Sequence, residues 1–149
     1  MTASHLSERD HLLVTESFRR IEPVFGLAGR IFHDRLWTLA PELEHRMGGE
    51  AATHREMFME VMSLFTSALA DAAHRAEALR ILARWHARHG IRSADLQVME
   101  DAFVWMLHQA IGDGLNAEQR QAWRAAFAIF ASGLECAIAE ERLQFSTEP

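Results

Sequence analysis

Two histidines stand where a helix would be expected to carry hydrocarbon. His86 extends a stripe begun by Leu79 and Leu82, at i, i+3 and i+7, in a stretch that ends Trp85-His86-Ala87-Arg88-His89-Gly90-Ile91. His54 opens a second stripe that runs on through Phe58, Val61, Phe65 and Ala68. An imidazole on a buried stripe needs a hydrogen-bond partner or a metal. Spacing leaves three readings open. Each histidine can be a hydrogen-bonded core residue, which is the commoner case for a lone histidine on an apolar face. The two can instead flank a slot: they are 86 − 54 = 32 residues apart, room for one long helix, a bend and most of another. A flat iron-bearing cofactor fits such a slot, with one imidazole on the metal and the other over the open face. Finally, His86 and His89 at i, i+3 can share zinc, although zinc takes about three or four protein ligands.

Other chemistries find less support. No serine sits in a glycine-flanked elbow, and Cys136 is the only cysteine, so neither an internal disulfide nor a thiolate metal site can form. Gly112-Asp113-Gly114 precedes a helix but follows no strand, unlike a phosphate-binding loop. No catalytic residue is assigned. The net charge is −6, and the 15 basic residues are all arginine without a clustered basic face, so no nucleic-acid partner is expected. No uninterrupted apolar run approaches the roughly 20 residues of a membrane span. The start, Met1-Thr2-Ala3-Ser4-His5, lacks the layout of a signal peptide, so a cytoplasmic protein is expected.

The elements that must position the histidines read as helices throughout. Alanine, leucine, glutamate, arginine and methionine dominate, and β-branched runs are missing. One all-α domain over 1–149 is expected, with its core from about 7 to 143. Ser7 can cap a first helix. A second is predicted from about Ile21 to Thr38, with Pro23 in its first turn and Gly26 and Gly29 one turn apart, a spacing that lets another helix cross closely. A short Pro41–Met47 turn, broken by Gly48-Gly49, leads to a helix from about Ala51 to Leu69 and, after a joint near Asp71, to one from His74 to His89. Ser93 or Asp95 can start the next, and Asn116 caps the last, which is expected to end near Leu143 before a loose tail from Phe145 to Pro149. His5, His11, His45, His74 and His108 are expected on solvated faces. Trp105 or Trp123 could supply apolar surface for a dimer, or be core.

These stretches together resemble a family. From about Arg9 to Arg142 the chain is similar to bacterial single-domain globins and the globin part of flavohaemoglobins. The resemblance is carried by Phe32-His33-Asp34-Arg35-Leu36-Trp37-Thr38-Leu39-Ala40-Pro41-Glu42-Leu43, by Trp85 to Ile91, and by Glu100 to Gly112 with Ala122-Trp123 after it. It implies a three-over-three helical sandwich enclosing haem b, with His86 the proximal iron ligand and His54 at the distal position as a second candidate ligand. It places Phe58 over the distal face, and Leu82, Ile91, Leu96, Met99 and Phe103 along the proximal side and back of the pocket. His89 falls outside the motif.

The chain also departs from the family's pattern. Met47 stands where a phenylalanine usually wedges the haem, and His33 stands where bacterial relatives carry a distal tyrosine; this chain has no tyrosine. Leu96 and Ile138 occupy the positions of the tyrosine and glutamate that back the proximal histidine in flavohaemoglobins. The resemblance thus implies reversible binding of a diatomic gas, dioxygen before nitric oxide or carbon monoxide, by a monomer or homodimer, with His54 or His33 either donating a hydrogen bond to the gas or ligating the iron, which would then be six-coordinate. Nitric oxide dioxygenation or pseudoperoxidase turnover would need an external reductase. A haem-free sensory or interaction module is the third reading.

Overall fold

Each helix begins and ends for a local reason. A computed structural model describes residues 6–70, 72–88, 90–111 and 113–147, with the side chains of 51, 65, 66, 68–70, 72, 75 and 145–147 left aside. Among the described residues there are seven α-helices, one short 3-10 turn and no strand. Helix α1 (Glu8–Ile21) starts where the Ser7 hydroxyl accepts the Asp10 N–H at 3.1 Å. Pro23 then behaves differently from expectation. It lies in a separate 3-10 turn, Glu22–Val24, because a proline nitrogen has no hydrogen to continue the α pattern. Helix α2 (Phe25–Leu39) follows, then α3 (Pro41–Met47), α4 (Ala51–Ala70) and α5 (Ala72–Arg88).

Helix α6 (Ser93–Ala110) opens at Ser93, the first of the two expected starts; Arg92 is the capping position, and its N–H donates to the Asp95 carboxylate at 2.8 Å. Helix α7 (Ala117–Thr147) begins with a reciprocal cap, in which Gln119 N–H donates to Asn116 Oδ1 and Asn116 N–H to Gln119 Oε1. It stays helical four residues beyond the expected end. Nothing before Pro149 interrupts the helical pattern of that stretch.

The helices pack in the two-layered arrangement that the resemblance implies. Helices α1, α4 and α5 form one layer and α2, α6 and α7 the other, with the main contacts α2 on α6, α5 on α7, α4 on α5 and α1 on α7. Two glycines permit the close crossings. A Cβ on Gly29 of α2 would come within 3.2 Å of the Phe58 ring on α4, and one on Gly133 of α7 within 3.0 Å of Leu79 on α5. Gly26, expected to share this duty, faces open space.

By length and composition alone, α7 would suit a membrane crossing, as a window of mean hydropathy 1.3 lies within it. The stretch is not uninterrupted hydrocarbon, since Arg124 and Glu135 fall within it. Its Ala122, Trp123, Ala126, Phe130, Leu134 and Ile138 belong to the core cluster instead. Trp123 is therefore core and not dimer surface, whereas Trp105 is 41% exposed.

Candidate functional site

Helices α2, α4, α5, α6 and α7 enclose an apolar pocket with about 920 Å³ of space, part of it open to solvent. Among the described residues of its walls, His33, His54 and His86 are the ionisable ones; the remainder is Leu, Met, Val, Ala, Phe and Trp.

His86 owes its place to the end of α5. Gly90 takes φ +70°, a left-handed conformation that glycine adopts without a Cβ penalty. The turn is closed by Ile91 N–H to the His86 carbonyl at 3.0 Å and Gly90 N–H to the Ala87 carbonyl at 3.2 Å. This is the paired bonding that terminates helices at a glycine, and it fixes His86 one turn before the stop. Only 8% of His86 is exposed. Its Nδ1 donates to the Leu82 carbonyl at 2.6 Å, which sets the tautomer with the lone pair on Nε2. The Trp85 ring packs against it nearly at a right angle, with centroids 5.0 Å apart.

The corner after α5 is held from two sides. Arg46 of α3 donates to the Gly90 carbonyl at 2.7 Å and pairs with the Asp95 carboxylate, while Arg142 of α7 donates to the Ile91 carbonyl at 2.9 Å. Burial alone would raise the Asp95 pKa, but the hydrogen bonds from Arg46 and from the Arg92 N–H outweigh it, and the carboxyl lies below its ordinary 3.8. A carboxyl lowered on folding adds stability that is complete above its ordinary value and lost as pH falls through the lowered one. Asp95→Asn is therefore expected to cost about 1–3 kcal/mol at neutral pH. Urea unfolding at pH 7 and at pH 3 checks this: the gap between wild type and variant should shrink at the lower pH.

The opposite wall is aromatic. Gly29 leaves room for Phe58, and its carbonyl accepts the His33 Nδ1–H at 2.9 Å. The His33 ring is stacked on Trp37 at 5.6 Å and lies 5.3 Å from the His54 ring and 6.2 Å from Phe58. Burial, with the neighbouring His54 adding to it, pushes His33 down to about 4, so its ring is neutral at physiological pH. His54 reaches the other way. Its Nε2 donates to the Gly48 carbonyl at 2.5 Å, across a corner in which Gly48 and Gly49 both have positive φ.

Nine of the ten residues expected around a cofactor converge here: His33, Met47, His54, Phe58, Leu82, His86, Leu96, Met99 and Phe103 all line the pocket. Ile91 does not; it is fully buried in the core beside the corner and serves through its backbone. His89 lies outside the described residues, as do His5 and the joint at Asp71, and the stripe side chains of Phe65 and Ala68 are likewise not described. His45, His74 and His108 are exposed as expected, whereas His11 is half-buried. The sequence reading did not place Phe127, Phe130 and Leu134 of α7 in the walls, nor Met57 and Met62 of α4. Their apolar spacing was visible, but not which face of α7 meets the slot. Leu96 and Ile138 are buried hydrocarbon, and the His86 Nδ1–H goes to a main-chain carbonyl.

This donor set suits a haem. The slot is apolar, and its buried imidazole has Nδ1–H already on a carbonyl, the outer bond that metal-ligating histidines nearly always make. The site and the helices around it define a globin-type haem protein. Over residues 44–134 the sequence matches the globin family, and the chain belongs to it; globins generally bind haem. The matched stretch contains His54 and His86 but not His33. No curated protein matches the chain.

Proposed function

We propose that this globin holds haem b through His86 and reversibly binds a diatomic gas, dioxygen first, with nitric oxide and carbon monoxide as further ligands. The observation that carries this reading is His86 itself, buried at the pocket wall with Nδ1 bonded to the Leu82 carbonyl. When bound, haem would supply the iron that takes up the gas, and His86, through Nε2, would be the residue that holds it. Phe58, Phe32 and Phe103 line the pocket and exclude water from it, and Met47 replaces a wedging ring with a softer side chain that adapts to the cofactor edge. His33 and His54 stand on the distal side and decide what a gas meets there.

Hydrocarbon at Leu96 and Ile138 favours gas binding over nitric oxide dioxygenation or pseudoperoxidase turnover. A carboxylate behind the proximal histidine would raise its basicity; a main-chain carbonyl does so less. Either turnover would also need an external reductase. The apolar slot likewise supports a haem-bound protein over a haem-free module. We take the protein to act in the cytoplasm as a monomer or homodimer, with no membrane or nucleic-acid partner. The test is reconstitution with haemin, reduction, and addition of carbon monoxide. A Soret band that shifts with the gas and returns on its removal is expected; no band, or a band indifferent to the gas, sinks the proposal.

A further inference from the structure

Among the described residues three histidines border the pocket, and each has a ring nitrogen against a main-chain carbonyl. A carbonyl oxygen only accepts, so that nitrogen carries the hydrogen. In His86 and His33 it is Nδ1, and in both the acceptor is the carbonyl four residues earlier: Leu82 at 2.6 Å and Gly29 at 2.9 Å. In the neutral ring the outer nitrogen, Nε2, then has the lone pair. That is the form in which histidine ligates a metal, with its supporting bond already made. His54 is the reverse. Its outer nitrogen donates to Gly48 at 2.5 Å and is turned toward the joint between α3 and α4.

We infer that His33, and not His54, supplies the second axial ligand opposite His86. His54 is a positioning residue: it ties α4 to the Gly48-Gly49 corner and lies beside the His33 ring. Trp37, stacked on His33, and Phe58, edge-on to it, hold that ring in place. The inference rests on the haem-globin reading above. It also changes what a gas encounters. An Nε2 with a lone pair has no hydrogen to offer, so a gas must displace His33 from the iron and is not held by it.

The test is the visible spectrum of the ferrous, gas-free holoprotein, which reports spin state. Wild type is expected to show the sharp, split bands of low-spin iron. His33→Leu is expected to lose them for one broad high-spin band, and His54→Leu to keep them. Should His33→Leu not fold, His33→Gln, which retains a polar side chain of similar reach, gives the same reading. A high-spin wild type overturns the inference, as does a low-spin His33 variant or a high-spin His54→Leu. In each of those cases the Soret band persists and the haem-globin reading stands. Absence of a Soret band from wild type as well as the variants brings down that reading and this one together.

Discussion

Replacing His86 with alanine is expected to strip the protein of its affinity for haem while leaving its helices intact. Loss of an outer partner to a ligating histidine typically weakens a metal site by about 10–100-fold, and loss of the ligand itself should exceed that. The fold should survive because alanine is the best helix former, and α5 is terminated by Gly90 and Ile91 through main-chain bonds that do not use the imidazole. Haemin titration followed at the Soret band measures the first effect, and far-UV circular dichroism of the apoprotein measures the second. Retained affinity in a folded His86→Ala variant would move the iron ligand elsewhere.

The largest effect on stability is expected at Trp123. Its side chain is 1% exposed, and its ring lies 5.2 Å from that of Phe103, which itself lines the pocket. Trp123→Ala removes a large buried side chain and leaves a cavity, at a cost of about 3–5 kcal/mol. Against a total of roughly 5–15 kcal/mol for a domain, that is a large part of the margin. Trp105→Ala is the contrast. Trp105 is 41% exposed and carries the Arg35 guanidinium 4.3 Å above its ring, a contact worth about 0.5–1 kcal/mol at an exposed site. Urea unfolding of the two variants should therefore separate them by several-fold in lost free energy. Similar losses would place Trp123 outside the core.

His33 shows how far residue type and spacing reach. Its place on α2 could be read from the chain, and so could the absence of any tyrosine. Its role could not, because that depends on which ring nitrogen meets a carbonyl and which neighbours pack around it. His54 makes the same point from the other side. On its stripe it resembles a distal ligand, yet its outer nitrogen is committed to a corner formed by two positive-φ glycines. The Gly26 and Gly29 pair divides in the same way. Both read as a close crossing, and only Gly29 meets another helix.

The opening pair of histidines marks the boundary. Local pattern by itself determined that the chain is all helix, that α5 stops at Gly90, and that His86 and His54 lie on apolar stripes. Those properties depend on residues within about a turn or two of one another. Tertiary structure alone decided that α7 contributes Phe127, Phe130 and Leu134 to the pocket, that Trp123 is core, and that the corner after α5 is held by Arg46 and Arg142. Arg46 and Gly90 are 44 positions apart, and Arg142 and Ile91 are 51 apart. Periodicity shows that a helix has an apolar face; only the packing of the layers shows what that face meets.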